Sequence, residues 1–254
     1  MRRSGVSGAM AALLLIAGIL IGVTGFYAAS SNQTGPAQTR TVTMTITSAA
    51  TVTQTFTPTP PVIVASCSQA GNPSQQINCS LDNVAAGDLI VVEFSDVAAV
   101  TLSDSLKTQF TPVAQVNLPS GSYVEFASYG RANASGVDVI SVSGGGNYPS
   151  MIVREIHGAD SLEGFSTGSS SITGETSVSN VSSFSPPIGT FVLAALLPAG
   201  HPPPLVTQGQ GYTLGLTAAN TLLTDEFAVS TGATTSPFTL NPASNWAEIS
   251  MAFG

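Results

Sequence analysis

The sequence predicts an all-β extracellular sandwich, jelly-roll or immunoglobulin-like, that follows a single N-terminal transmembrane or signal helix. Three observations predict it. One long apolar segment lies near the N-terminus, and no later window keeps a helical period. Beyond it, short apolar runs recur between clusters of Gly, Pro, Asn and Ser, as in sandwiches and barrels.

Residues 1–29 form the predicted helix. No charge occurs between Arg3 and Arg40, and residues 9–26 are almost entirely apolar. A helix over residues 6–28 would reach roughly 35 Å, enough to cross a hydrocarbon layer of ~30 Å. Arg2 and Arg3 precede it, so the positive-inside bias favours an N-terminus in the cytoplasm and a chain outside. An uncleaved signal anchor satisfies these features, as does a cleaved secretory signal that uses Ala28 and Ser30.

A third interpretation rests on a resemblance. The run RRSGVS at residues 2–7, followed by an apolar helix, resembles the class III signal of archaeal type IV pilins and related surface proteins. The resemblance covers about the first thirty residues and implies a leader cut after a glycine, with the helix kept for filament packing. Gly18 and Gly22 form a GxxxG pair that would let two such helices approach closely, although small residues are common in membrane helices.

Composition restricts the function classes. Of 254 residues, 43% are hydrophobic and only 8% are charged, which leaves enough chain after the helix for one sizeable sandwich over residues 62–254. The net charge of -8 repels phosphate backbones and argues against a nucleic-acid partner.

Two further features suit an exported protein. The sequence contains Asn-x-Ser/Thr sequons, which together with the export signal predict a glycoprotein; they begin at Asn32, Asn78, Asn133 and Asn180. Cys67 and Cys79 are the only cysteines, and a close pair in an exported domain predicts a disulfide worth about 3 kcal/mol.

Residues 30–61 form a spacer rich in Thr and Pro. Its final prolines favour an extended stalk that lifts the domain from the membrane. Alternatively, the alternation over residues 41–47 places Val42, Met44 and Ile46 on one strand face, which could complete the sheet of a neighbouring subunit as a donor strand.

From residue 62 onward the pattern predicts strands and turns only. Residues 62–67 and 77–81 are expected to pair as a disulfide-pinned hairpin, and residues 88–94 form a continuous apolar run typical of a buried strand. The remaining predicted strands cover residues 97–102, 110–116, 123–129, 137–143, 150–156, 189–197, 212–216, 224–230 and 246–253.

A second resemblance covers roughly residues 62–254. The segments that carry it are GDLIVVEF (87–94), SDSLKTQFTPV (103–113), YPSMIVREIHGA (148–159), QGYTLGL (210–216) and NWAEISMAFG (245–254). They are similar to landmarks of an uncharacterised β-sandwich module of secreted bacterial and archaeal proteins. The resemblance implies the fold and an extracellular setting, and it assigns no catalytic residues.

Catalytic chemistry has little support in the sequence, and we predict that the protein is not an enzyme. His157 and His201 are the only histidines, and neither accompanies a nucleophile elbow or a Gly-rich phosphate loop. Within residues 150–156, Glu155 is expected to pair with Arg131 or Lys107, because a buried charge needs a partner.

No cofactor is predicted. Calcium is the one metal considered, because loops at strand ends can supply hard oxygens, here from Asp96, Asp104, Asp225 and Glu226. The required loop spacing is missing, so ordinary solvated turns are the preferred interpretation.

The sequence therefore predicts a non-catalytic, structural or adhesive protein of the cell surface, held in the membrane by its N-terminal helix. One alternative is a subunit of an extracellular filament, with itself as partner. A second is a carbohydrate-binding module for surface glycans, with tyrosines as sugar platforms: Tyr123, Tyr129, Tyr148 and Tyr212.

Overall fold

The fold was analysed in a computed structural model, which describes residues 40–46, 50–56, 59–73, 75–97, 100–119, 121, 123–144, 148–170, 184–200, 204–219, 222–232 and 238–254. These residues form strands, turns and loops, so the all-β prediction is confirmed. The predicted helix over residues 1–29, with Gly18 and Gly22, lies outside them. Among the described residues, no helix has the length and hydrophobicity needed to span a bilayer.

The strands are short, as the spacing of the turn residues predicts. Their bounds are β1 Arg40–Ile46, β2 Ala50–Phe56, β3 Val62–Ala70, β4 Ile77–Val84, β5 Leu89–Asp96, β6 Val100–Asp104, β7 Thr111–Asn117, β8 Val124–Arg131, β9 Gly136–Gly144, β10 Ser150–His157, β11 Leu162–Ser170, β12 Phe191–Pro198, β13 Leu205–Gln208, β14 Thr213–Ala218, β15 Leu223–Val229, β16 Phe238–Asn241 and β17 Trp246–Phe253.

Strands β1 and β2 pair with each other as an antiparallel hairpin within the predicted spacer. Met44 lies opposite Val52 in this hairpin, and Val42 lies opposite Gln54. The spacer expected over residues 30–61 therefore contains a hairpin, and its role as a stalk stays a prediction. Donation of Val42, Met44 and Ile46 to a neighbouring subunit stays a prediction.

The strands from β3 onward form four stacked sheets. We number them in stacking order: sheet I is β4-β9-β6, sheet II is β3-β10-β5-β8-β7, sheet III is β11-β17-β12-β15-β14, and sheet IV is β13-β16. Three apolar clusters fill the spaces between successive sheets. The two central sheets are therefore covered on both faces.

This double burial explains the continuous apolar runs in the sequence. In β5, Ile90 and Val92 face sheet I, whereas Leu89 and Val91 face sheet III. Every residue of β5, β12 and β17 is buried. A strand in this position cannot show the polar alternation of a half-exposed strand.

Strands β3–β10 and β11–β17 follow the same plan, which we call the first and second repeats. In sheet II the first strand of the repeat neighbours the last, and sheet III has the same order with β11 and β17. The edge strands of sheets II and III carry bulges at corresponding places. In the first strand of each repeat the bulge lies before Ala65 in β3 and before Gly164 in β11. At the opposite edge it lies after Pro112 in β7 and after Leu214 in β14.

The ladder registers give a residue-by-residue correspondence between the repeats. Gly87 and Gly189 occupy the same turn before β5 and β12, both with positive φ, and their N–H groups donate to Ala132 and Ser230. From this origin Leu89 corresponds to Phe191. No apolar motif longer than a few residues is shared, so the duplication is evident in backbone pairing and not in side chains.

Within the first repeat the pairs are nested. Strand β3 pairs with β10, β4 with β9, and β5 with β8. An immunoglobulin-like sheet would place the first strand beside the second. The strand order of the first repeat therefore differs from that of an immunoglobulin-like sheet.

The cysteines are joined as predicted, but the hairpin around them is wrong. Cys67 lies in β3, which pairs with β10, and Cys79 lies in β4, which pairs with β9. The disulfide, with a Cα–Cα distance of 5.9 Å, connects sheet II to sheet I. Proximity in sequence suggested neighbours in one sheet, whereas the chain crosses between sheets after β3.

Candidate functional site

The described residues that carry charge are distributed unusually. Most acidic side chains are buried, and of the basic side chains described only Arg154 is buried. The buried acids are Asp88, Glu93, Asp96, Glu125, Asp138, Glu155, Asp225, Glu226 and Glu248. We call these nine the buried acids, and they make the molecule's interior its most distinctive chemical feature.

Arg154 and Asp225 join the two central sheets. The Arg154 Nε and Nη2 atoms each donate to one Asp225 carboxylate oxygen at 2.6 Å, and both side chains are almost fully buried. Asp225 also accepts a bond from the backbone N–H of Leu216, and the guanidinium lies 5.8 Å from the ring centre of Phe227. A bidentate, fully desolvated pair of this kind fixes the relative position of β10 and β15.

The bulge in β14 makes room for this pair. A Cβ atom at Gly215 would collide with the Asp225 carboxylate and with Arg154 Nη2. Glycine at the bulge is therefore required by the close approach of two charged groups.

Glu93 and Glu125 lie near this pair, between sheets II and III. Burial raises the pKa of Glu93 well above its usual value; the Asp225 charge raises it further, and Arg154 lowers it. Burial also raises the pKa of Glu125 well above its usual value, with further increases from Glu248 and Glu93. Their four carboxyl oxygens find no hydrogen-bond partner among the described residues.

Glu226 and Glu248 form a second acidic pair, on the face of sheet III that meets sheet IV. Burial is the first cause that raises the pKa of each to about 8. The Glu226 Oε2 atom accepts the Gly209 N–H at 3.0 Å, and Ser250 Oγ donates to Glu248. Tyr212 lies close by, and burial together with the two glutamates raises its pKa to about 12.

Two acidic groups of the first repeat are influenced by a neighbouring carboxyl group. Burial is the largest cause that raises the pKa of Asp138 in β9, and Asp104 at the end of β6 raises it further. Burial is also the largest cause that raises the pKa of Glu155, and Asp88 raises it further.

The end of sheet II carries most of the charge near the surface. His157 Nδ1 lies 2.8 Å from Asp88 Oδ1, and the imidazole is 65% exposed. The predicted partner of Glu155 is wrong, because its Oε1 accepts the Ala85 N–H at 2.9 Å. Arg131 instead pairs with Asp160 at 3.0 Å.

Two of the four sequons lie within the described part of the chain. Asn78 and Asn133 are exposed, and each side chain already hydrogen-bonds to neighbouring groups. Asn32, Asn180 and the second histidine, His201, lie outside the described residues.

The four acids considered for calcium do not meet as a group. Asp225 and Glu226 are adjacent in β15, so their side chains point to opposite faces of sheet III. Among the described residues, no group of three or more His, Cys, Asp or Glu side chains could hold a metal ion. Asp96 Oδ1 accepts the Val97 N–H, and Asp104 Oδ1 accepts the Thr108 N–H.

The four tyrosines are also separated. Tyr129 packs edge-on against Phe253 between the central sheets, and Tyr212 packs against the cluster of Phe184, so both serve the core. Burial raises the pKa of the partly buried Tyr123, and Tyr148 raises it further. Of these four tyrosines, Tyr148 has the most exposed side chain, at 47%.

Sequence reasoning missed the pair of Arg154 and Asp225. Both residues interrupt apolar strands, which is a visible signal of burial with a partner. The partner itself could not be identified, because it depends on which strands face each other across two sheets.

The described residues form an all-β protein of stacked antiparallel sheets with an interior rich in carboxyl groups. Comparison of the chain with protein-family models, with curated proteins and with solved structures gives no match.

Proposed function

We propose that this chain is a non-catalytic, structural or adhesive protein of the cell surface, with its β domain outside the membrane. The disulfide carries this proposal. Cys79 is fully buried and its bond to Cys67 ties two sheets of one core, a device typical of proteins that meet oxidising surroundings.

The surface composition supports the same proposal. Most of the described acidic residues lie inside the domain, so its surface carries few carboxylates. A surface that relies on hydroxyl and amide groups for solubility suits a protein coated with sugar. Asn78 and Asn133 are exposed positions for such sugar.

The test is mass spectrometry of the protein taken from its native cells. We expect a membrane or external fraction, a cross-linked peptide pair that contains Cys67 and Cys79, and glycan on Asn78 or Asn133. The N-terminus found separates the three export routes: Met1 for the anchor, Val6 for the pilin-like leader, and a start near Ser31 for secretion. Recovery from cytosol with free thiols and no glycan would overturn the proposal.

A filament subunit is the second candidate, and the β1–β2 hairpin favours it. In this two-stranded sheet each strand has one edge without a partner among the described residues. Such edges accept further strands. Deletion of residues 40–56 should abolish polymers that the intact, leader-processed protein forms, and monomers from that intact protein would count against a filament.

A carbohydrate-binding module is the third candidate, favoured by the exposed Tyr148 beside Tyr123. Glycan-array binding by the full chain would support it. The Tyr148→Ala variant should then lose binding, whereas Tyr129→Phe should keep it, because Tyr129 packs in the core.

A further inference from the structure

The interior holds more carboxyl groups than its basic groups can neutralise. Among the described residues, nine acidic side chains are buried, against one buried arginine. An isolated charge is expensive to bury, so most of these carboxyl groups must be neutral in the folded state or must be compensated by hydrogen bonds.

The interface between sheets II and III gives the clearest case. Asp225 on β15 already engages the Arg154 guanidinium through two bonds. Asp225 and Arg154 face Glu93, and Glu93 acts on Glu125 within sheet II, whereas Glu248 acts on Glu125 from the far face of sheet III. One cation therefore serves a neighbourhood of several acids, and Glu93 and Glu125 accept no hydrogen bond from the described residues.

Two pairs of carboxyl groups, in different parts of the first repeat, support the same conclusion. Asp138 faces Asp104, the Ser105 hydroxyl and the Leu106 N–H. Glu155 faces Asp88, His157 and the Ala85 N–H. Each pair brings two acidic groups close together, and a neighbouring carboxylate disfavours ionisation of a carboxyl group.

We propose that the protein functions in acidic surroundings and that the packing of sheet II against sheet III depends on pH. The interface is stable while Glu93 and Glu125 are protonated. The proposal stands on buried geometry and is independent of the proposed surface function.

The direction follows from proton linkage. The folded state keeps protons on groups whose pKa burial raises, whereas the unfolded chain releases them near the ordinary glutamate value of about 4.3. The folded state then binds more protons, so stability is greatest below that value. Stability falls as the pH rises through the pKa values that the glutamates have in the folded state.

The first experiment measures thermal unfolding of the full chain from pH 4 to pH 8. Glu93→Gln and Glu125→Gln, combined, replace two carboxyl groups by neutral ones of the same shape. We expect the wild type to lose stability with rising pH and the double variant to lose less, so that its folded-to-unfolded ratio at pH 8 exceeds that of the wild type by roughly tenfold or more. Asp82→Asn, at an exposed position, is the matched control and should follow the wild type.

The second measurement observes the protons directly and does not depend on how the variants fold. In the wild type with ¹³C-labelled glutamate, the carboxyl resonances that the variants assign to Glu93 and Glu125 should stay protonated well above pH 5. Titration of both near the ordinary value would overturn the proposal, as would equal pH slopes for wild type and double variant.

Discussion

The two repeats share a backbone plan and differ in how they fill the space between the central sheets. Arg154 and Asp225 meet on one side of that space. The registers place Met251 and Ala127 at the corresponding positions on the other side, and both belong to its apolar cluster. One site is ionic and its counterpart is apolar, so this fold tolerates either solution at a contact between two sheets.

Other differences follow the same division. The second repeat has Ser166 where the first has the disulfide-bonded Cys67, and Gly215 where the first has Val113 at the bulge. It also has Glu248 where the first has Met151. Each difference can be tested by giving one repeat the residue of the other.

The largest effect is expected from Asp225→Ala, which gives the second repeat the residue of Ala127. Arg154 would remain buried without its partner, and such a loss costs about 3–5 kcal/mol. Urea unfolding of the full chain measures it. Adding Arg154→Met should restore most of that stability, since the apolar counterpart already exists; a double variant as unstable as the single would contradict the comparison.

Removal of the disulfide comes next. Cys67→Ala with Cys79→Ala should cost about 3 kcal/mol, because the unfolded chain regains the freedom of the closed loop. Hydrogen exchange should increase in β3 and β4 and change little in β11, which has no disulfide. Equal increases in both repeats would show that the bond supports the whole molecule.

Gly215→Ala tests the fit of the bulge around the ion pair. The added methyl group overlaps charged atoms of Arg154 and Asp225, and overpacking of this kind costs about 1–3 kcal/mol. The same substitution in the Arg154→Met, Asp225→Ala background should cost much less. Equal costs in both backgrounds would mean that the backbone of the β14 bulge requires the glycine and that the ion pair does not.

Glu248→Met gives the second repeat the residue of Met151 and should have the smallest effect at acidic pH. The pKa of Glu248 is raised to about 8, so the wild type loses stability as the pH rises from about 4.5 through 8. Below that window the variant should resemble the wild type. Near pH 8 it should melt at a clearly higher temperature than the wild type, and calorimetry at both pH values decides.

Local pattern predicted much of this architecture. The continuous apolar run of β5 indicated a buried strand, and predicted bounds for β10 and β17 agree with the structure to within a residue. Strand β11 was missed, because its Ser and Gly residues resemble a loop when read without the partner β17 that orders them.

The candidate site was less predictable. Arg154 interrupts an apolar strand, which is a local signal of a buried charge with a partner, but its pairing with Asp225 joins two repeats and has no local signature. Glu155 was assigned a basic partner by charge rules, whereas its observed hydrogen-bond donor is the backbone N–H of Ala85. The duplication was also missed, because ladder registers and bulges carry it and no shared motif does.

The position of the disulfide has a mechanical consequence. Tension that enters through the segment before Val62 would peel β3 from β10, beginning at the pair of Val62 and His157. Peeling would stop at Cys67, whose covalent bond passes the load to β4 in sheet I. A tether pulled from its N-terminal side would thus stretch by a few residues and then hold.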